Sequence, residues 1–148
     1  MKNKFIELDQ SIARVMHTCG VPAIRVSFAI IFFLFGILKP LGMSPAEDIV
    51  KATVVWLPFG EPDWWLNIIG WWEVVIGITF LLKKTTRIAI GLLFIQMFGT
   101  FMPLVLLPEV VYQNGYSIFV PTMEGQYIIK NLMVISAASV VGGTIYKK

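Results

Sequence analysis

The stretch Asn67-Ile-Ile-Gly-Trp-Trp-Glu-Val-Val-Ile-Gly-Ile-Thr-Phe-Leu-Leu82 decides the fold, because it places one carboxylate, Glu73, inside an otherwise apolar run. More than one apolar helical turn lies on either side of that carboxylate. In a helix that spans a bilayer, an acid at this depth costs about 2.5–3.5 kcal/mol on insertion scales. We therefore expect Glu73 to have a partner or a task.

The composition of the whole chain also indicates that it lies in a lipid bilayer. Of its 148 residues, 57% are hydrophobic and 14% are charged, whereas soluble domains are roughly 25% charged. This predicts an integral membrane protein that forms a single domain over residues 1–148. Four runs are long enough to cross a hydrocarbon core about 30 Å thick at ~1.5 Å per residue. They are residues 22–41, 63–82, 86–107 and 125–145.

The fold class that follows is all-α membrane: a four-transmembrane-helix bundle with an N-terminal amphipathic helix and a short outer-loop helix. Apolar residues recur at helical spacing near the N-terminus, which predicts an amphipathic helix lying on the cytoplasmic face. They are Phe5, Leu8, Ile12, Val15 and Met16. Ser44, Pro45 and Glu47 follow the order of an N-cap, a first-turn proline and a capping-box acid. They predict the outer-loop helix from Pro45 to about Trp56.

The second outer loop carries Asn114-Gly115 between apolar runs, which is typical of a β-hairpin turn. Basic residues flank the predicted spans on one side of the four-span arrangement, so the positive-inside rule places both termini in the cytoplasm. These residues are Lys2, Lys4, Arg14, Lys83, Lys84, Arg87, Lys147 and Lys148. Because they are scattered flanks rather than a stripe, no nucleic-acid partner is expected.

Cys19 is the only cysteine and His17 the only histidine. This excludes an intrachain disulfide, a Cys-x-x-Cys redox centre, a metal site of the usual zinc ligands and bis-His haem within one chain. We name no catalytic residue and no metal ligand. Cys19 is expected to be an inert packing residue, and His17 an interfacial one.

Helical wheels test whether the polar residues of each run share a face, at about 100° per residue. Polar and small residues do line up, which is typical of faces that pack inward. The stripes are Arg25, Ala29, Phe32, Gly36 and Lys39; Gly70, Glu73 and Gly77; Ala89, Gln96, Thr100 and Pro103; and Gln126, Lys130, Met133, Ala137 and Thr144.

Counting residues from the outer end of each span gives the depth of these groups. Lys39, Glu73, Gln126 and Lys130 fall in the outer half, and Gln96 falls near the midplane. Arg25 stands alone near the cytoplasmic end, where it can snorkel to lipid phosphates.

Two interpretations of this constellation remain open. Glu73 can form a structural ion pair with Lys130 or Lys39. Alternatively, the acid and both lysines hold a ligand beneath aromatic walls from Trp71, Trp72 and Phe101. Two cations for one acid leave surplus positive charge in low dielectric, which an anionic or carbonyl-bearing ligand would offset.

At these residues the chain resembles the DoxX-like superfamily of small four-helix membrane proteins, and most closely its YkgB-type, reactive-chlorine-resistance branch. The matching stretches lie in all four runs, in order. They are Ile24 to Lys39, Gly70 to Gly77, Thr100 to Val105 and Gly125 to Asn131. The sequence departs from the family pattern at Asn131, where an aspartate is expected.

The resemblance implies a multi-pass protein of the bacterial inner membrane, in contact with the lipid bilayer and linked to oxidative stress or quinone-associated redox chemistry. Arg25, Gly36, Lys39, Glu73, Gly77 and Lys130 are then family-type positions. A quinone is the one cofactor it suggests. As protein partners, the resemblance suggests either a redox partner subunit or further copies of the same chain in a homo-oligomer.

Three functions therefore remain open. The first is a redox- or stress-associated component that binds a quinone-like or other small polar ligand in the outer half. The second is a small transporter or channel that uses Glu73 and Lys130. The third is a non-catalytic accessory subunit of a membrane complex. We do not expect the chain to be an enzyme on its own, because any electrons would have to come from a partner protein.

Overall fold

The computed structural model describes residues 2–113 and 119–145, and over those residues the chain forms seven α-helices and no strand. A 3₁₀ turn at Lys83–Thr85 joins the third helix to the fourth. The helices are α1 Lys2–Leu38, α2 Glu47–Val54, α3 Pro62–Leu81, α4 Thr86–Phe101, α5 Pro103–Leu106, α6 Pro108–Val111 and α7 Met123–Gly143.

Three segments of the described chain are long and apolar enough to cross a membrane. They are Lys4–Leu38, Pro62–Leu81 and Lys83–Leu106. The third segment is not one helix, because α4 ends at Phe101 and Pro103 begins α5. Helix α7 has 21 residues but is not among the three, since Gln126, Lys130 and Asn131 lower its hydropathy. The fourth span stays a prediction.

Helix α1 is longer than predicted. It contains 37 residues and is about 55 Å long at a rise of 1.5 Å per residue. The segment expected to lie on the membrane face is instead continuous with the first span, and Pro22 lies inside the helix. The helix ends at Leu38 because Pro40 disfavours helical backbone at the residue before it.

Glycines bring α1 and α3 into close contact. A Cβ atom on Gly36 would lie 2.8 Å from the carbonyl oxygen of Gly70, and one on Gly70 would lie 2.8 Å from the carbonyl oxygen of Gly36. A Cβ atom on Gly77 would lie 2.7 Å from the backbone nitrogen of Phe33. Small residues permit such an approach between membrane helices. This packing sets the end of α1 beside the middle of α3.

The core lies where α1, α3, α4 and α7 meet. The rings of Phe28 and Phe80 stack edge to face at its centre, with their centroids 4.9 Å apart. Large apolar side chains on the outward faces of the same helices are exposed, as expected of a surface in contact with lipid. The buried core residues are Phe28, Ala29, Phe32, Ile76, Phe80, Ala89, Leu93, Met97, Ala138 and Val141.

Helix α2 begins at Glu47, two residues later than predicted, and ends at Val54. Glu47 does not complete a capping box. Its Oε1 atom instead accepts a hydrogen bond from Nζ of Lys51 at 2.6 Å, and Lys51 also pairs with Asp63 at the start of α3. The carboxylates of Asp63 and Glu47 raise the pKa of Lys51 above its ordinary value. Lys51 thereby ties α2 to α3.

The segment between α6 and α7 approaches itself in an antiparallel manner. Tyr112 and Pro121 form a β-bridge, and the N–H of Gln113 donates to the carbonyl oxygen of Val120 at 2.9 Å. The predicted Asn114-Gly115 turn lies outside the described residues. Helix α7 then begins after Thr122, whose hydroxyl oxygen accepts from the N–H of Gly125 at 3.2 Å.

Candidate functional site

Glu73 lies near the middle of α3, and it is 9% exposed. Its Oε2 atom pairs with Nζ of Lys39 at the end of α1. Its Oε1 atom accepts a hydrogen bond from Nε2 of Gln96 in α4 at 2.7 Å. Both carboxylate oxygens therefore have a partner, and the three side chains, here called the polar triad, connect three different helices.

Lys39 is 6% exposed, which is unusual for a lysine and requires a partner. It follows directly after the last residue of α1, Leu38. Its Nζ atom also donates to the carbonyl oxygen of Phe35 at 3.4 Å, one of the carbonyls that the helix end leaves without an intrahelical partner. A cation at a helix C-terminus is favoured by the helix dipole. The ammonium group of Lys39 thus provides a donor for a carbonyl at the end of α1 and a counter-charge for the carboxylate of Glu73.

Gln96 is the half-buried member of the triad. Its own backbone carbonyl accepts a hydrogen bond from the hydroxyl of Thr100 at 3.0 Å. As a neutral amide it leaves the charge of the triad balanced, with one ammonium and one carboxylate. The sequence placed Gln96 on the inward stripe of its span, without naming its partner.

Lys130 and Gln126 do not join the triad. Both side chains are exposed, and Nζ of Lys130 lies 5.2 Å from the centre of the Tyr127 ring. Most of the inward stripe predicted for α7 is wrong, since Met133 is also exposed, at 74%, and only Ala137 of the stripe packs against the core. Packing follows the apolar and small residues instead. The buried ones in α7 are Gly125, Ile128, Ala138 and Val141.

The separation of Lys130 from Glu73 changes the electrostatic argument. The triad holds one cation for one acid, so it carries no surplus positive charge that demands an anion. A transporter that coordinates its cargo between Glu73 and Lys130 stays a prediction, since only Glu73 of the two belongs to the triad.

The three predicted aromatic wall residues differ in position. Trp71 is 54% exposed and faces outward. Trp72 is half-buried, packs against the core, and donates from Nε1 to the carbonyl oxygen of Leu92 at 3.3 Å. Trp72 therefore links α3 to α4 on the side of Gln96, and Phe101 is likewise half-buried against the core.

Arg25 caps the end of α3, a role that the sequence did not indicate. Its Nε and Nη2 atoms donate to the carbonyl oxygen of Phe80 at 3.2 and 3.0 Å. Helix α3 ends at Leu81, so this carbonyl is among the last four, which have no partner within the helix. No sequence signal marks a backbone acceptor. Arg25 was expected to reach lipid phosphates.

Two surface depressions lie elsewhere on the molecule. One, of about 440 Å³, is lined by Phe59, Gly60, Glu61 and Trp64. The other, of about 330 Å³, is lined by Arg87, Ile90, Gly142 and Ile145. Neither includes a member of the triad. Among the described residues, no group of three or more His, Cys, Asp or Glu side chains is arranged to hold a metal ion.

The DoxX family model matches residues 20–106, which is more than half of the 148 residues. The match includes Arg25 and all three members of the triad, whereas Lys130 lies beyond it. No curated protein and no solved structure is significantly similar to the chain. Assignment to the reactive-chlorine-resistance branch stays a prediction. Together, the match and the three apolar segments show that this chain is a membrane protein that belongs to the DoxX family.

Proposed function

We propose that the chain is a redox- or oxidative-stress-associated component of the bacterial inner membrane, whose polar triad receives a quinone-like or other small polar ligand. The observation that carries the proposal is the triad itself: a carboxylate, an ammonium and an amide that meet inside three packed helices. Ionisable side chains buried in membrane helices are costly and usually functional. The DoxX family is loosely associated with stress or redox functions, which supports the same proposal.

The chemistry of the triad suits a carbonyl-bearing ligand. Lys39 and Gln96 offer N–H donors on opposite sides of the Glu73 carboxylate. A ligand carbonyl that replaces one carboxylate oxygen accepts from the same donors, and Glu73 can then hold a proton next to it. Gln96 is the more exposed partner, and hydrogen bonds between membrane helices average only about 0.6 kcal/mol. The Gln96 side is therefore where we expect a ligand to enter.

The chain does not supply electrons in this proposal. Its single cysteine and single histidine cannot form a dithiol or a bis-His haem site within one chain. A partner protein provides the redox centre, and this chain binds and positions the ligand.

One observation favours a second candidate, an accessory subunit in which the triad is structural. Both oxygens of Glu73 are satisfied, and Lys39 and Glu73 are almost sealed from solvent. In that case the ion pair only fixes how α1, α3 and α4 pack.

The experiment compares the double variant Lys39→Met with Glu73→Leu against wild type and against Lys130→Met, which removes an exposed lysine outside the triad. Purified proteins are examined by mass spectrometry for retained small molecules, and the cells are grown under hypochlorous-acid stress. The proposal predicts that the folded double variant loses both the retained molecule and the resistance, while Lys130→Met keeps both. A folded double variant that keeps both would contradict ligand binding and leave the structural candidate.

A further inference from the structure

The first part of α1, from Lys4 to Cys19, makes no contact that buries it. Every side chain in this segment is exposed. Four of its six large apolar residues nevertheless recur at intervals of three and four, which is the heptad spacing of positions a and d in a coiled coil, while Ile6 and Met16 lie off that spacing. The four are Phe5 (74% exposed), Leu8 (59%), Ile12 (51%) and Val15 (61%), and Cys19 occupies the next a position. We call these five residues the heptad stripe.

We propose that the heptad stripe is the interface with a second copy of the chain, in a parallel two-stranded coiled coil. Its flanking charges are complementary in that arrangement. With Phe5 at position a, Lys4 is at g and Asp9 is at e. In parallel coiled coils, g of one helix lies beside the following e of its partner. Lys4 of each copy therefore meets Asp9 of the other, which gives two symmetric ion pairs per dimer.

The continuity of α1 favours a parallel pair. The stripe lies in the N-terminal half of the first candidate span, Lys4–Leu38, within one continuous helix. Copies inserted in one orientation therefore present their stripes side by side and pointing the same way. Such a pair has two-fold symmetry, the commonest arrangement of homo-oligomers. Two heptads are marginal for free peptides in water, but anchoring in one bilayer raises the effective concentration of each copy for the other.

A lipid surface fits the stripe less well than a second copy does. Interfacial helices lie in the membrane plane and are rich in Lys and Arg. Here Lys4 and Arg14 are balanced by Glu7 and Asp9 within the segment. Lying on the membrane would also require a sharp bend between the segment and the span, whereas α1 is continuous through Pro22.

The test is cysteine cross-linking of the full chain in native membranes. Facing core positions of a parallel pair bring their Cα atoms into the range of about 4.4–6.8 Å that a disulfide needs. When the membranes are treated with copper phenanthroline and air, two Cys19 thiols should lose two protons and two electrons to the oxidant and form a disulfide-linked dimer; Cys19 is the only cysteine. In a Cys19→Ser background, Ile12→Cys and Val15→Cys should cross-link several-fold more than the controls Gln10→Cys and Ala13→Cys, which lie off the stripe.

A charge test separates a specific interface from random collision. Lys4→Glu and Asp9→Lys should each reduce Cys19 cross-linking several-fold, and the two changes together should restore it. Equal cross-linking on and off the stripe would overturn the proposal, as would a double variant that fails to recover. Stripe cysteines that neither cross-link nor react with a water-soluble maleimide would also overturn it, and would indicate burial in lipid. So would stripe cysteines that react with the maleimide without cross-linking.

Discussion

Replacing Glu73 by leucine leaves the ammonium group of Lys39 buried without its carboxylate. Only the carbonyl oxygen of Phe35, at 3.4 Å, remains as an acceptor. Removing one partner of a buried ion pair costs about 3–5 kcal/mol, because the other charge stays uncompensated. Since Lys39 is 6% exposed, we expect Glu73→Leu to lower the free energy of unfolding by an amount in this range.

The reciprocal change should cost less. Lys39→Met leaves Glu73 with the hydrogen bond from Gln96 at 2.7 Å, and such bonds between membrane helices are worth about 0.6 kcal/mol on average and about 1.7 at most. The loss should therefore lie toward the lower end of the range. Making both changes replaces the pair by apolar groups, which is often close to neutral. The double variant should then be more stable than Glu73→Leu alone.

Reversible unfolding in mixed detergent micelles measures these free energies, and a double-mutant cycle isolates the coupling. Lys130→Met serves as the control, since substitutions of exposed residues usually change stability by less than about 0.5 kcal/mol. If the losses of the two single changes simply add in the double variant, Lys39 and Glu73 are not coupled and the reasoning fails. A negligible loss for Glu73→Leu would refute it equally.

Three further predictions follow from the packing and the charges. Gly36→Ala should destabilise the protein, because the new Cβ atom would lie 2.8 Å from backbone atoms of α3. Gly91→Ala should be neutral or stabilise the protein by up to about 1 kcal/mol, because a Cβ atom there meets nothing within 4 Å. Thermal unfolding of both variants checks this. Arg25→Leu should destabilise more than Arg25→Lys, because lysine keeps one donor for the Phe80 carbonyl, and unfolding curves of the two should separate. A Lys84→Cys thiol in a cysteine-free background should react with membrane-impermeant reagents only after the cells are opened, and labelling of intact cells would place that loop outside.

The sequence was informative where polar and small residues share one helical face. On α1 and α3, Lys39 and Glu73 lie one helical turn from Gly36 and Gly70. The glycines let the two backbones approach, and the charged groups then fall together. Periodicity and composition are sufficient to predict that Lys39 and Glu73 lie together. The glycines that mark the inward face of each helix also set how closely the two helices approach.

The helical wheel predicted the wrong inward face where apolar and small residues, rather than polar ones, determine how a helix packs. Counting along the predicted spans gives Lys130 a depth similar to that of Glu73. Helix α7, however, turns its apolar and small residues toward its neighbours, which leaves the lysine exposed. The acceptor of Arg25 is a backbone carbonyl, which every residue possesses and no sequence pattern marks. The continuity of α1 through Pro22 could not be predicted either. An amphipathic pattern shows that one face of a helix is apolar, but it does not show where the helix ends or what packs against that face.

The most direct test of the central claim is a distance measurement between Lys39 and Glu73 in lipid bilayers. Solid-state NMR is applied to a Glu47→Gln variant, which lacks the contact between the Glu47 carboxylate and Nζ of Lys51. With 15N at the lysine Nζ atoms and 13C at the glutamate Cδ atoms, it detects the remaining direct contacts between these groups. We expect a strong 15N–13C dipolar coupling that disappears in Lys39→Met and persists in Lys130→Met. A coupling that survives Lys39→Met and is lost in Lys130→Met would contradict it, because Glu73 would then be paired with the other lysine.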